Sequence, residues 1–364
     1  MEATKPVFLK SADEALFREI KHKAHDIVRQ LEPQRGWQIT FKAILFPALF
    51  VAAYTSALIW GEHIRVLYGC YFVMGLLLVI IFLNQIHDAV HGVLWKKKWL
   101  NELYIHFFDL MGANSYVWRV RHTRLHHNYP NIMGWDSDIE QSDLARVFPY
   151  GPYSKIHKYQ HIYLPLIYPF YLLNWLLVRD FKDFFNKKKP VWKVTQIPRK
   201  EYYKLFFFKA FFLFYTIVIP KLVLPISWGQ AIAAFLIFIF TASIFSLIVL
   251  LSPHANTENE FPLPDEHNQI HHPWFMHQLK NTNDVTHDNW FTRFFMGCFN
   301  YHVAHHLFPN INHVYYPEVT AILREEARKH GLPYRSYPLW YSLKKHYELL
   351  KQNRMPENIF EETM

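Results

Sequence analysis

The sequence predicts an all-α integral membrane protein, with four transmembrane helices in two hairpins and a cytosolic helical cap carrying a dinuclear metal site. Three observations predict this class: long uncharged apolar runs, an uneven distribution of lysine and arginine, and 23 histidines that fall into groups. The 364 residues are 51% hydrophobic and include only 11 glycines and 2 cysteines. This composition excludes collagen-like, disordered and disulfide-framework chains.

Three runs without a charged residue are long enough to cross the hydrocarbon core of a bilayer, which takes about 20 apolar residues. They are residues 43–60, 66–86 and 231–252. A fourth run, 205–228, is interrupted by Lys209 and Lys221. We expect both lysines to extend their ammonium groups toward the membrane interface.

Short turns join the four runs into two hairpins, so that all remaining residues lie on one side of the membrane. That side holds every lysine and arginine except Arg65, Lys209 and Lys221, and the positive-inside rule makes it cytoplasmic. No cleavable signal is expected, because residues 1–41 are charged and polar. The predicted domains are a cytosolic N-terminal segment 1–42, a hairpin 43–86, a cap 87–204, a hairpin 205–252 and a second cap portion 253–364.

One further run, 162–178, tests this topology. It has no charged residue, but it contains Pro165, Pro169 and Asn174 and is rich in aromatic residues. If it crossed the bilayer, the histidine groups before and after it would face opposite sides. We therefore predict an interfacial or re-entrant segment at the bilayer surface.

Nine histidines on four segments are candidate metal ligands. The groups His-x3-His-His at 122–127 and His-x2-His-His at 302–306 are each expected by chance only about 0.09 times in a chain of this composition. Residues three or four apart share one face of a helix, so each group can direct several imidazoles at one centre. The pair at 87 and 91 and the single histidine at 254 fit an ordinary interfacial role equally well by spacing alone. The nine candidates are His87, His91, His122, His126, His127, His254, His302, His305 and His306.

Other histidines are not expected to be ligands. The group at 267–272 has the same spacing as 122–127, but it lies between Pro262, Pro264 and Pro273, which disfavour a helix. His157 and His161 are interpreted as interfacial residues or as supports for the ligands.

Nine imidazoles exceed the four ligands of one zinc ion and suit two metal ions with five or six ligands each. Imidazole binds iron, copper, zinc and nickel, so the ligand type alone does not choose between them. No thiolate lies near, which excludes an iron–sulfur cluster, and a haem needs only one or two axial ligands. Two irons is the interpretation that uses the whole set. The residues predicted to orient the imidazole N–H groups are Asp88, Asn131, Asp136, Asp138 and Asp288.

These motifs resemble the membrane fatty-acid desaturases, most closely the acyl-CoA (linoleoyl-CoA-type, front-end) branch. The resemblance covers roughly residues 40–340. It rests on NQIHDAVHG at 84–92, HHNYPNI at 126–132, DSDI at 136–139, HKYQHIY at 157–163, His254 with EFP at 260–262, HQL at 277–279, and HHLFP at 305–309 with His313. Two positions depart from the pattern: His302 stands where front-end members commonly have glutamine, and Leu250 where animal stearoyl-type members have asparagine.

The resemblance implies a di-iron site held by the nine histidines. It also implies an oxidoreductase that reduces O2 with two external electrons and removes two vicinal hydrogens from a fatty acyl chain, releasing water. The expected partners are membrane lipids, an acyl substrate linked to CoA or lipid, and a separate electron donor of the ferredoxin or cytochrome b5 type, since no His-Pro-Gly-Gly haem signature occurs. No nucleic acid is expected.

Two other functions stay open at this stage. A hydroxylase with the same ligands shares the first hydrogen abstraction, and a non-redox zinc hydrolase or metal-binding receptor is a more distant alternative. We expect an apolar tunnel for the acyl chain, with Trp274-Phe275, Trp290-Phe291 and Phe294-Phe295 as candidate lining pairs. The sequence leaves open the double-bond position, the chain length, the acyl carrier and the oligomeric state.

Overall fold

The computed structural model describes residues 5–11 and 13–356, and this part of the chain is mostly helical. Two pairs of short parallel strands, β1 (Val7–Phe8) with β2 (Gln269–Ile270) and β3 (Asp284–Val285) with β4 (Ser336–Tyr337), hold the cap loops together. The α-helices are α1 (Asp13–Trp60), α2 (Ile64–Ile81), α3 (His87–Val90), α4 (Lys98–Leu110), α5 (Ser115–Arg119), α6 (Gln160–Ile167), α7 (Tyr171–Asn174), α8 (Asp180–Phe185), α9 (Arg199–Leu213), α10 (Ile219–Val223), α11 (Trp228–Leu251), α12 (Trp274–Asn281), α13 (Trp290–Phe294), α14 (His302–Leu307), α15 (Tyr316–His330) and α16 (Leu339–Gln352). Wider π-helical turns occupy Phe82–Ile86, Val120–His126, Trp175–Arg179 and Phe214–Val218, and 3-10 turns occupy Lys155–Tyr159, Tyr168–Phe170, Pro190–Lys193 and His313–Tyr315.

Five helical stretches among the described residues are long and apolar enough to cross a membrane. They are Asp13–Trp60, Ile64–Val90, Lys155–Lys193, Arg199–Val223 and Trp228–Leu251. Four of them overlap the four predicted runs, but the stretch that overlaps run 205–228 ends at Val223, and Trp228 already begins the next helix. The fifth contains the segment predicted to be interfacial. Whether this stretch crosses the membrane decides whether the histidine groups before and after it lie on the same side.

The first apolar run is not a separate element. It continues the N-terminal segment in one helix, α1, of 48 residues, which corresponds to about 72 Å at 1.5 Å per residue. The N-terminal half of α1 packs on α15, where Arg35 forms two hydrogen bonds of 2.6 Å with the carboxylate of Glu318 and Lys23 lies 2.7 Å from Glu326. The N-terminal segment thus belongs to the same body as the third histidine group.

The apolar helices meet in a tight core between α2 and α11. A Cβ atom at Gly75 would lie 2.6 Å from the backbone oxygen of Phe238, so glycine is what allows the two helices to approach this closely. Tyr71, Met74 and Phe238 are fully buried at this contact. The opposite sides of the helices expose apolar residues such as Val51 on α1 and Ile244 on α11, as expected for surfaces in contact with lipid.

The stretch Lys155–Lys193 folds back on itself. Near its start, Nε2 of His157 lies 3.0 Å from the backbone oxygen of Asp143, and near its end Nζ of Lys182 lies 3.0 Å from the carboxylate of the same residue. A straight helix would separate positions 157 and 182 by about 37 Å. The stretch reverses at the 3-10 turn Tyr168–Phe170, just after Pro165 inside α6. It does not cross the molecule as one straight span, and the interfacial or re-entrant interpretation is consistent with this path.

The turn of this stretch reaches far along α11. The backbone N–H of Leu172 donates to the hydroxyl of Ser243 at 3.1 Å, and the rings of Phe170 and Phe240 are 4.9 Å apart. Phe240 lies 11 residues before the end of α11 at Leu251, or about 16 Å along the axis. The segment therefore runs alongside α11, a helix long and apolar enough to cross a membrane, and then returns.

The expectation for Lys209 is wrong. Its ammonium group does not extend to an interface; it is buried, 2.9 Å from the carboxylate of Asp180 and 2.9 Å from the backbone oxygen of Gly112. The sequence-based expectation lacked this partner because Asp180 is 29 residues away in the chain. An ion pair inside the helical body, not an interfacial ammonium, makes a lysine tolerable at this position.

Replacing Lys209 by methionine is expected to destabilise the protein by about 3–5 kcal/mol, because the buried carboxylate of Asp180 is left without its cation. The measurement is thermal unfolding of the purified protein in detergent. Lys221→Met, a half-buried lysine of the same apolar stretch, is the control and should change the midpoint little. Equal shifts for both variants would contradict a specific role for the pair, and adding Asp180→Leu to Lys209→Met should restore most of the loss.

Candidate metal centre

The nine predicted histidines come together in the described structure. Their candidate ligand nitrogens form two groups of four, and within each group the nitrogens lie within 4.8 Å of one another. His127 lies between the groups, within the same distance of His305 and His306. The first group is His87, His91, His122 and His305, and the second is His126, His254, His302 and His306.

Two π-helical turns present the first two histidine motifs. The turn Phe82–Ile86 directly precedes His87, and the turn Val120–His126 carries the second motif. In this wider turn the N–H of His127 donates to the oxygen of His122, five residues earlier, at 3.0 Å. Their Nε2 atoms consequently lie only 3.2 Å apart. An α-helical spacing was expected here, and the wider turn is what lets residues five apart share one centre.

The other two contributions come from the second half of the chain. The short helix α14 carries three of the candidate ligands, and its first turn is held by Asp284, whose carboxylate accepts from the N–H of Val303 at 2.7 Å. His254 lies in the turn after α11, and its Nδ1 is 3.2 Å from the backbone oxygen of Asn281. With Nδ1 fixed in this way, its Nε2 faces the centre, 2.8 Å from Nε2 of His302.

The donor set fits a pair of metal ions. Nε2 of His91, His305 and His306 is buried in each case without a hydrogen-bond partner, which is costly unless another group satisfies it. Two nitrogens bound to one metal at right angles, with bonds of about 2.1 Å, lie about 3.0 Å apart. The separations of 2.8 and 3.2 Å between paired Nε2 atoms agree with this arrangement.

Burial keeps most of these rings neutral. It holds the pKa of His91, His254 and His305 well below the usual range, and the same holds for His127, His302 and His306. Neutral imidazole is the form that donates a lone pair to a metal. The exception is His126: burial lowers its pKa, but the carboxylate of Asp136 outweighs burial and raises it.

Two of the predicted carboxylates contact the rings of candidate ligands directly. Asp138 lies 3.0 Å from Nδ1 of His122, and Asp136 lies 2.9 Å from Nδ1 of His126. Burial raises the pKa of Asp138, but the hydrogen bond from His122 and the charge of Arg121 hold it well below its usual range. Each carboxylate fixes one nitrogen of its imidazole and leaves Nε2 for a metal.

Asn131 supports the candidate metal centre indirectly. Its side-chain amide donates to the backbone oxygen of His254 at 3.3 Å, and its own N–H donates to Asp136 at 2.8 Å. It positions two parts of the centre without contacting an imidazole ring. Asn131 also adopts a positive φ of 58°, which asparagine tolerates better than most residues.

The expectation that Asp88 and Asp288 orient ligand rings is not met within the described residues. Asp88 lies 2.6 Å from Nδ1 of His313 and 2.6 Å from the amide of Asn312, so it ties the first histidine motif to the segment after α14. Asp288 forms a two-bond ion pair with Arg293. Each carboxylate is thus bonded to residues outside the nine candidate imidazoles.

Two ring partners were missed by sequence reasoning. Gln278 Oε1 lies 3.0 Å from Nδ1 of His306, and the hydroxyl of Tyr316 lies 3.2 Å from Nδ1 of His305. Gln278 belongs to the HQL motif, which was the only available signal. No pattern in the sequence pointed to Tyr316.

The histidines that were set aside lie elsewhere. His267 and His271 are exposed beside Glu266 and Asp265. His277 is buried, with Nε2 2.9 Å from the oxygen of Pro130, and so holds a loop in place. His157 lies at the start of the folded-back stretch. Its Nε2 contacts the backbone oxygen of Asp143 and not one of the nine candidate histidines.

A cavity of about 260 Å³ reaches the centre, and most of the residues that line it are apolar. Five of the nine histidines are in its wall: His87, His122, His126, His254 and His302. A smaller cavity of about 60 Å³ adjoins it deeper among the helices and shares Phe82, Tyr171, Trp175 and Leu250 with it.

The aromatic pairs predicted to line a tunnel pack elsewhere. Phe275 stacks on Phe17 at 4.8 Å, and Phe294 and Phe295 pack against Phe46. The lining comes instead from the loop 138–147, from the folded-back stretch between 164 and 175, from α11 and α16, and from residues next to the histidine motifs. Composition alone does not separate aromatic residues of the core from those of a cavity wall.

Apolar helices of spanning length, a buried multi-histidine centre that could hold metal, and an apolar cavity that reaches this centre are together the features of a membrane protein. The chain belongs to the fatty acid desaturase family, since the family model for fatty acid desaturases matches residues 65–338. It is an oxidoreductase that desaturates a fatty acyl substrate.

Named relatives agree with this family. An "sn-1 linoleoyl-lipid 6-desaturase" of Arthrospira platensis is 29% identical over 324 residues, which cover 88% of this chain and 87% of the relative. An "Acyl-lipid (8-3)-desaturase" of Physcomitrium patens is 27% identical over 331 residues, 90% of this chain and 69% of the relative. A "Delta(5) fatty acid desaturase A" of Dictyostelium discoideum is 30% identical over 270 residues, 70% of this chain and 56% of the relative.

Proposed function

We propose that the nine histidines hold two iron ions and that the protein forms a carbon–carbon double bond in an acyl chain at the expense of O2. The reaction consumes one O2, two external electrons and two protons, takes two hydrogens from adjacent carbons, and releases two water molecules. When bound, the irons supply the reduction of O2 and the removal of hydrogen. The carbon chain has no polar group near the reacting carbons, so the protein must position it by packing.

The observation that carries this proposal is that both histidine groups face one apolar cavity. His87 and His122 of the first group, and His126, His254 and His302 of the second, are in its wall. An acyl chain in this cavity would lie beside histidines of both groups. A metal centre with a purely structural role would have no need of such a cavity.

The residues around the cavity supply binding and orientation. Each methylene moved from water into an apolar site contributes about 0.8 kcal/mol, so a chain of ordinary length binds without polar contacts. The ring of Phe299 lies 4.5 Å from that of His302, and the ring of Trp118 stacks on His122 at 5.1 Å. These rings limit where a methylene can lie next to the centre, and such positioning selects the carbons that react.

The centre is assigned to the cytoplasmic side, and the electrons to a separate donor of the ferredoxin or cytochrome b5 type. The side follows from the distribution of lysine and arginine. The chain carries 39 basic and 30 acidic residues, so an acidic donor protein is attracted to it.

The test is expression of the full chain in a host that lacks the activity, followed by lipid profiling by gas chromatography and mass spectrometry. A new alkene, together with about two irons per chain after anaerobic loading with Fe²⁺, supports the proposal. A new alcohol instead of an alkene would favour the hydroxylase. One zinc per chain with no new lipid, even after iron loading, would overturn the di-iron assignment.

A further inference from the structure

The first histidine motif, His87 and His91, is positioned differently from most of the other candidate ligands. Four of the nine candidate rings are fixed at Nδ1 by a hydrogen bond to a supporting side chain: His122, His126, His305 and His306. Among the described residues, the rings of His87 and His91 form no hydrogen bond to any residue outside the nine candidates. Their orientation therefore depends on where the backbone of the motif is held.

Lys42 on α1 holds the turn that precedes this motif. Its ammonium group donates to Oδ1 of Asn84 at 3.0 Å, and its backbone oxygen accepts from Nε2 of Gln85 at 3.0 Å. Asn84 and Gln85 belong to the π-helical turn Phe82–Ile86, which leads directly into His87. One residue of α1 thus holds two neighbouring residues of the turn, one through its side chain and the other through its backbone.

A second path from Lys42 reaches the motif itself. The ammonium group lies 3.1 Å from Nε2 of His313, and Nδ1 of His313 lies 2.6 Å from the carboxylate of Asp88. An ammonium group can only donate and a carboxylate can only accept, so the ring between them is neutral and carries its hydrogen on Nδ1. Asp88 directly follows His87 and shares α3 with it. The path from Lys42 through His313 to Asp88 therefore holds α3 at a second point.

This network is buried, and its hydrogen-bonding groups are fully used. Lys42, His313 and Asp88 are each at most 3% exposed, and the third hydrogen of the ammonium group goes to the backbone oxygen of Arg293 at 2.8 Å. Asn312 adds a further hydrogen bond of 2.6 Å to the carboxylate. A buried charge without its partners is strongly destabilising, so the network favours the one arrangement in which all of these bonds are made. It connects α1, the turn before the first motif and the segment after α14.

We propose that Lys42 is a positioning residue of the metal centre, and that it keeps His87 and His91 in the geometry that binds the first metal ion. Neither of these two histidines belongs to the second group of four, which is His126, His254, His302 and His306. The second ion therefore binds without Lys42, and loss of the lysine affects only one of the two positions. This inference rests on the proposed function, because it takes the two groups of histidines as the sites of two metal ions.

The first experiment measures metal binding to the full chain in detergent. The probe is Co²⁺, because imidazole binds the divalent first-row metals and Co²⁺ has a visible absorption spectrum. We expect the unaltered protein to bind two Co²⁺ ions tightly. Lys42→Met should bind one ion as before and the other about 10- to 100-fold more weakly, since loss of a residue that orients a metal ligand typically has this effect. Unchanged affinity for both ions would overturn the inference.

The spectrum of the remaining ion shows which position is lost. His91→Ala removes a ligand from the first group only, and His254→Ala removes one from the second group only. The Co²⁺ spectrum of Lys42→Met at one ion per chain should match that of His91→Ala. A match with His254→Ala instead would overturn the assignment of Lys42 to the first motif.

A matched control separates positioning from stability. Lys209 is also a buried lysine in an apolar stretch, but its ammonium group bonds to Asp180 and Gly112 and not to a residue of the first motif. Lys209→Met should lose stability and keep both Co²⁺ ions. If it loses one ion to the same extent as Lys42→Met, the effect is a general consequence of instability and the inference is overturned.

Variants of His313 test the second path. A glutamine side chain can accept from Lys42 with its oxygen and donate to Asp88 with its nitrogen, but it does not pass a proton from one to the other. His313→Gln should therefore keep both Co²⁺ ions tightly bound, whereas His313→Leu, which breaks the path, should weaken one. Full affinity in His313→Leu would overturn the path through Asp88. Equal weakening by both variants would mean that the imidazole itself is needed, which would overturn a positioning role.

Metal titration needs no turnover, so it separates this inference from the proposed function. Selective loss of one ion in Lys42→Met, in a protein that forms no new alkene, would support the inference and contradict the desaturase reaction. Alkene formation by the unaltered protein, with two ions bound equally well in Lys42→Met, would support the reaction and overturn the inference.

Discussion

Replacing His305 by alanine is expected to abolish desaturation and to lower the iron content of the protein. His305 belongs to the first group of four, and it is also within 4.8 Å of His127 and His306, where the two groups meet. Its Nε2 is buried without another partner, so its loss removes a ligand that no nearby side chain replaces. The measurements are the alkene content of host lipids, with an expected loss of at least a hundredfold, and iron per chain by elemental mass spectrometry.

The chain offers a matched control for this variant. His271 stands in the group His267–His272, which has the same spacing as the second ligand motif but an exposed position. His271→Ala should keep both alkene formation and iron content. Membrane insertion should be normal in both variants, because neither position lies in an apolar run. Retained activity in His305→Ala would remove His305 from the ligand set.

Six of the nine candidate histidines, at 122–127 and 302–306, could be selected from their spacing because each of these motifs is local. His87, His91 and His254 were added because they lie at the ends of apolar runs. Residues 122–127 and 302–306 are close in the chain, so almost any helical turn keeps them together. The type of turn could not be predicted, since the π-helical geometry at Val120–His126 depends on packing rather than on a sequence signal. The folded-back stretch was predictable for a different reason. Its two prolines, and the need to keep all histidine groups on one side, both argued against a straight span.

Contacts between distant residues were the part that the sequence did not reveal. Asp88 looked like a support for an imidazole but bonds to His313, 225 residues away. Tyr316 supports His305 although it belongs to a helix with no recognisable motif. Lys209 was expected at an interface because Asp180 was not known to face it. In each case the partner is distant in the sequence or carries no motif, so only the tertiary structure reveals the contact.

Filling the cavity should separate binding of the acyl chain from assembly of the centre. Leu247 on α11 is buried, lines the cavity and lies outside both histidine groups. Leu247→Trp is expected to exclude about four methylenes from the cavity, a loss of about 3 kcal/mol of binding. Alkene formation at limiting substrate should then fall by about two orders of magnitude. Iron per chain should stay at the value of the unaltered protein, since no ligand nitrogen changes.

The neighbouring residue provides the control, because it lies on the same helix but points outward. Ile248 is 37% exposed and does not line the cavity, so Ile248→Trp places the same indole against lipid and should keep both activity and iron. Loss of iron in Leu247→Trp would mean that the substitution disturbs the centre itself. Full activity with normal iron would mean that the acyl chain does not occupy the space beside Leu247, and the cavity would then lose its assignment as the substrate site.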